Sequence, residues 1–107
     1  MINKIFSMLG LSMKAGKLVC GTDACIENIK AKKVFLIIIA TDASENTKEK
    51  FERLCEQYGV NLVYFENKFS LSKAVGKVDK AVYAVLDKGF SGKILQLVEE
   101  NQRGAIR

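Results

Sequence analysis

Seven residues constrain this chain more than any others. "VFLIIIA", positions 34–40, is an unbroken apolar run in which Val34, Ile37, Ile38 and Ile39 are β-branched. It is far short of the ~20 apolar residues that cross a bilayer, so it belongs inside a folded protein. β-branched side chains favour a pleated strand. Alternating polarity would leave one face of that strand in water, whereas a continuous run requires cover on both faces. A sheet covered twice needs a layer on each side, and the sequence around this run is helical in pattern.

The first segment carries Ile2, Ile5, Phe6, Leu9 and Met13 on one helical stripe. It reads as an amphipathic helix running to about Ala15 and stopped by Gly16, not as a secretion signal. "KLVC" (17–20) is a short strand, and Gly21-Thr22 turns it into a second helix that buries Cys25, Ile26 and Ile29. Thr22 or Asp23 is the ordinary N-cap expected there. A third helix follows "TDASENT", capped by Asp42 or Ser44; Phe51, Leu54, Cys55 and Tyr58 share its inner face, and Gly59 ends it. "VNLVYF" (60–65) is a strand and "SLSKAVGK" (70–77) a short helix closed by Gly76. "KAVYAVLD" (80–87) is a fourth strand and "SGKILQLVEEN" (91–101) a final helix. With no proline, linker or repeat, residues 1–107 read as one α/β domain. The expected architecture is a three-layer α/β/α sandwich around a small mixed sheet of about four strands.

Composition narrows the chemistry. There is no histidine, which removes imidazole acid/base catalysis and the usual nitrogen ligand of zinc. The three cysteines, Cys20, Cys25 and Cys55, are an odd number without CxxC spacing. They fit free thiols in a reducing, cytoplasmic setting. Neither GxxxxGK[ST] nor GxGxxG is present, so no nucleotide cofactor is expected. Asp42, Asp87 and the thiols form no recognisable acid/base or nucleophile pairing. The expectation is a protein without catalytic residues, metal or cofactor. Net charge is +5 and it is banded: +4 over residues 1–40, −3 over 41–66 and +4 over 67–93. The two basic bands make a positive face if they meet in space. Tyr64, Phe65 and Phe69 read as core or strand-edge residues rather than base-stacking platforms.

Three stretches carry more information together than apart: "GKLVCGTDACIENIK" (16–30), "IIATDASENT" (38–47) and "LSKAVGK" (71–77). A strand, a glycine and a helix start present free backbone N–H groups and the positive end of a helix dipole. In order and interval the set resembles the kink-turn-binding ribosomal protein family, which includes an archaeal large-subunit protein and small bacterial relatives of the YlxQ type. "GLSMKAGKLVCG" (10–21) and "AVLDKGF" (84–90) look like the two ends of the bacterial members. The resemblance implies a domain that binds structured RNA, either ribosomal RNA or another kink-turn RNA, with the ribosome as a candidate partner. A monomer that uses no membrane is expected.

In that family the start of the second helix reads sheared G·A pairs, and a later loop packs apolar side chains beneath an extruded nucleotide. Gly21 and Thr22 match the family pattern. Asp23 stands where the family has asparagine, Ala24 where it has glutamate and Glu27 where it has lysine. A carboxylate at Asp23 still accepts from guanine N1–H and N2–H. Ala24 removes one base contact, and Glu27 puts a negative charge where a groove-reaching cation is expected. The later loop maps to Val75, Gly76, Lys77, Val78 and Asp79. Lys14, Lys17, Lys30, Lys33, Lys73 and Lys77 are the candidate phosphate contacts, and the helix of the acidic band is expected to lie elsewhere. An alternative of another class is a protein-interaction or regulatory domain that keeps the fold and has lost specific RNA recognition.

Overall fold

The computed structural model describes residues 2–77 and 79–106. Its elements are α1 (Ile2–Lys14), β1 (Leu18–Cys20), α2 (Thr22–Lys30), β2 (Leu36–Ile39), α3 (Glu45–Tyr58), β3 (Asn61–Tyr64), α4 (Lys68–Val75), β4 (Val82–Val85) and α5 (Lys88–Ile106). The sheet order is β1-β4-β2-β3. β4 pairs antiparallel with both β1 and β2, while β3 runs parallel to β2, so the sheet is mixed.

All four residues of β2 are fully buried, as the apolar run requires. Its side chains alternate between two cores. Leu36 and Ile38 join Ile5 and Leu9 of α1, Leu71 and Val75 of α4, and Ile94, Leu97 and Val98 of α5. Ile37 and Ile39 join Cys25 and Ile29 of α2 with Phe51 and Cys55 of α3. Three helices therefore cover one face and two the other, giving the α/β/α sandwich. Gly10 shows how tightly the first layer packs, because a Cβ there would stand 3.2 Å from the Ala74 carbonyl of α4.

Several boundaries differ from the sequence reading. The strand within "VFLIIIA" is shorter than the run, and Phe35 at its lower end is 44% exposed. Of the two caps expected for α3, Ser44 is the one used, accepting from the Thr47 N–H. Asp42 instead accepts from the Lys68 N–H at 2.9 Å and so ties down the start of α4. The last helix starts earlier than "SGKILQ" suggests. Asp87 accepts from the Phe90 N–H at 2.8 Å, a cap that carries the helix through Gly89. Phe65 is core and packs against Phe6 with the rings tilted and their centroids 5.7 Å apart. Tyr64 is a half-buried edge residue whose hydroxyl donates to Glu52. Phe69, expected in the core or at a strand edge, is 75% exposed.

The buried thiols make stability depend on pH. Burial pushes Cys25 from an ordinary value of 9.0 up to about 12, and Cys55 up to about 11. The unfolded chain releases both protons near pH 9 while the folded chain keeps them, so the native state then binds more protons. The stability these thiols contribute is fully present below pH 9 and is lost as the pH climbs from 9 towards 11–12. Urea midpoints at pH 8 and pH 10.5 should differ in that sense, and Cys25→Val should flatten the slope.

Candidate nucleic-acid interface

β1, β2 and β3 point the same way, so the loops that follow them gather at one end of the sheet, where the loop entering β4 joins them. In open α/β sheets ligands bind outside the carboxyl ends of the strands. Backbone hydrogen bonds lock this end together. The Gly21 N–H donates to Val82 at 2.9 Å, the Ala40 N–H to Ala81 at 2.8 Å, and the Thr41 N–H to Glu66 at 2.8 Å. A rigid frame of this kind presents whatever projects from it without rearrangement.

The start of α2 projects from it. Gly21 is the N-cap at φ 97° and ψ 150°, and no side chain caps the helix. Neither Thr22 nor Asp23 performs the expected capping. The first bond of the helical ladder runs from the Cys25 N–H to the Gly21 carbonyl at 3.1 Å. The amides of Thr22, Asp23 and Ala24 therefore precede the ladder, at the positive end of the helix dipole. The neighbouring helices differ, since Ser44 caps α3 and Asn67 caps α4. Asp23 is exposed beside these amides, Thr22 and Ala24 are half-buried, and Glu27 is exposed one turn on.

Lys80 is the cation nearest this helix start that sequence reasoning missed. A Cβ built on Gly21 would lie 3.8 Å from the Lys80 ammonium. A closed hydrogen-bond ring holds residue 80 in place. Its N–H donates to Ser72 Oγ at 2.9 Å, Ser72 lies 3.0 Å from the Tyr83 hydroxyl, and that hydroxyl donates to the Lys80 carbonyl at 2.8 Å. Ser72 and Tyr83 are buried. Burial pushes the Tyr83 phenol up to about 12, so it remains a donor at neutral pH.

Two depressions adjoin here. The first, about 290 Å³, is lined by Gly21, Thr22, Lys68, Asp79, Lys80 and the α3 start through Ala43, Ser44 and Thr47. The second, about 480 Å³, is lined by Asp42, Lys68, Phe69, Ser72, Lys73, Lys77 and Asp79. The Lys68–Asp79 ion pair, at 3.4 Å, lines both. Contrary to the sequence reading, α3 borders the site, although it does so with its uncharged cap residues.

The expected residues separate into two groups. Gly21, Thr22, Asp23, Ala24, Lys73, Val75, Gly76 and Lys77 belong to the elements meeting at this end, with Val75 buried in the core beneath; Val78 lies outside the described residues. Lys17, Lys30 and Lys33 do not join them, and Lys14 closes α1 three residues before Lys17. Lys17 precedes β1 at the end marked by the Leu18–Val85 pair, whereas Gly21 sits beside Val82. Four extended residues separate them by about 13 Å. Lys30 closes α2, about 12 Å along the helix from Thr22. Lys33 precedes the segment whose Phe35 N–H bonds to Val85, at the same far end. The linear charge bands ignored that each element carries its two ends to opposite sides of the molecule. Lys68 and Lys80 would have emerged from placing "NKF" and "DKAV" at the ends of α4 and β4.

Among the described residues no group of three or more Cys, Asp or Glu side chains is placed to hold a metal ion. No described helix is long and apolar enough to cross a membrane.

The chain is similar to several known proteins. RNA-binding protein YlxQ of Bacillus subtilis (strain 168) is 35% identical over 94 residues, covering 88% of this chain and 94% of that protein. RNA-binding protein YlxQ of Enterococcus faecium is 34% identical over 96 residues, covering 90% and 92%. A solved structure of a protein of unknown function from Bacillus halodurans C superposes with a TM-score of 0.87 at 32% identity, covering 90% of this chain and 97% of that one. The Giardia lamblia 15.5kD RNA binding protein shares the fold, with a TM-score of 0.75 at 20% identity over 89% and 84% of the two chains. The model of the ribosomal protein L7Ae/L30e/S12e/Gadd45 family matches residues 3–95. With that match spanning most of its length, the chain belongs to the ribosomal protein L7Ae/L30e/S12e/Gadd45 family.

Proposed function

We propose that this chain is a non-enzymatic RNA-binding protein that grips a folded RNA of kink-turn type, carrying tandem G·A pairs, with the Gly21 end of the sheet. The observation that carries the reading is the uncapped start of α2, held open by Gly21 beside the clamped Lys80. Its amides and the Asp23 carboxylate meet guanine edges. Lys68, Lys73, Lys77 and Lys80 meet phosphates, and the protein acts as a single copy. The names of the YlxQ relatives support an RNA ligand.

Ala24 and Glu27 favour a second reading, a protein-interaction domain that has lost specific RNA recognition. One experiment separates the two. A hairpin with tandem G·A pairs should bind at least about tenfold more tightly than a plain duplex of equal length, the value of one good base contact. The affinity should fall steeply with salt, and Lys80→Gln should reduce the log–log slope by about 1. Equal binding of the two RNAs at several salt concentrations overturns specific recognition. If the parent binds neither RNA while the Ala24→Glu/Glu27→Lys double variant binds the hairpin, the second reading holds.

A further inference from the structure

Phe69 has no structural task that accounts for its position. It lies in the first turn of α4 and is 75% exposed, the most exposed large apolar side chain among the described residues. A single exposed apolar residue is ordinary on a protein surface, but the surroundings of this one are not. It lines the 480 Å³ depression with Lys68, Lys73 and Lys77. The two carboxylates of that depression are already engaged, Asp42 by the Lys68 N–H and Asp79 by the Lys68 ammonium. Lys73 and Lys77 form no ion pair among the described residues, and no aromatic ring or cation covers the Phe69 ring there. Lys73 lies four residues on, on the same helical face as Phe69.

We propose that Phe69 is a nucleobase-stacking platform, and that Lys73 and Lys77 hold the flanking phosphates, extending the RNA footprint from the Gly21 corner across α4. An open aromatic face beside unpaired cations is the combination by which proteins hold an unpaired nucleotide: every base has a face to stack, and the cations track its backbone. The depression shares Lys68 and Asp79 as lining residues with the Gly21 depression, so an RNA seated in the first lies beside the second. This inference rests on the RNA-binding reading above.

The chain contains no tryptophan, so Phe69→Trp introduces the only indole and makes a direct probe. A tandem-G·A hairpin with unpaired bulge nucleotides should quench that indole on binding. The same hairpin with abasic sugars at the unpaired positions should bind without quenching it. Phe69→Ala should weaken binding about 5- to 100-fold, the range for losing one stacked base, while leaving the thermal transition unchanged because the side chain is exposed. Binding seen by anisotropy with no quenching and an unchanged Phe69→Ala affinity overturns the platform and leaves RNA binding intact. Absence of hairpin binding by the parent overturns both. A dimer of the parent that Phe69→Ala dissolves, with RNA affinity unchanged, assigns the ring to self-association instead.

Discussion

Replacing Gly21 by alanine should lower the unfolding free energy by about 1–3 kcal/mol and, on the proposed RNA-binding reading, weaken binding to a tandem-G·A hairpin roughly tenfold or more. The cause is conformational rather than steric. The atoms nearest an added Cβ are those of the Lys80 side chain, at 3.8 Å and 3.9 Å, which is ordinary contact distance. The backbone at φ 97° and ψ 150°, however, lies in a region open essentially to glycine alone. An alanine must either carry that strain or relax. Relaxation turns the residue whose N–H is bound to Val82 and whose carbonyl is bound to Cys25, and so re-aims the first turn of α2.

Gly59→Ala is the matched control. Gly59 also has positive φ (68°) with open space around it, and it joins α3 to β3 at the opposite end of the sheet. Alanine there should cost about 1–2 kcal/mol and leave RNA affinity unchanged. Urea denaturation and fluorescence anisotropy on both variants check the pair. A Gly21→Ala protein that binds as the parent does would remove the start of α2 from the gripping surface.

Ile38→Ala should cost about 2–5 kcal/mol, the range for truncating a fully enclosed aliphatic side chain. Ile38 is 0% exposed in the middle of a strand flanked by β3 and β4, and its neighbours in the core come from α1, α4 and α5. Little can move to fill the space it leaves. A domain of this size has about 5–15 kcal/mol in all, so the variant loses a large part of its margin. Phe35→Ala, three residues earlier and 44% exposed, should cost far less despite removing a larger side chain. Denaturation midpoints measure both, and comparable losses would contradict the boundary drawn within the apolar run.

That run shows why the fold is legible in the amino-acid sequence. A continuous β-branched segment admits few alternatives, and Gly59 and Gly76 stop helices where left-handed backbone is needed. What the sequence hides depends on direction and on hydrogen bonds between distant residues. Asp87 reads as the end of a strand, yet it caps the last helix through Phe90. Asp42 reads as an alternative to Ser44 for capping α3, while it holds the start of α4. At the candidate site, Gly21 and Thr22 stand out because a glycine between strand and helix is a local signal. Lys80 cannot stand out, because a ring through Ser72 and Tyr83 brings it over a residue 59 positions earlier in sequence. Phe69 misleads for the opposite reason: aromatic character indicates burial on average, and only the packing of α4 reveals that this ring faces outward.

The place of β4 in the sheet governs how the chain can come together during synthesis. β4 lies between β1 and β2, yet it is made last of the four strands. Until residues 82–85 leave the ribosome, the β-strand nearest the N-terminus has nothing to pair with, and β2 and β3 form an isolated parallel ribbon. Closing the sheet then joins Leu18 to Val85 across most of the polypeptide, a long-range closure that slows folding. The Gly21–Val82 link, and with it the corner at the start of α2, can exist only once that late strand has been inserted.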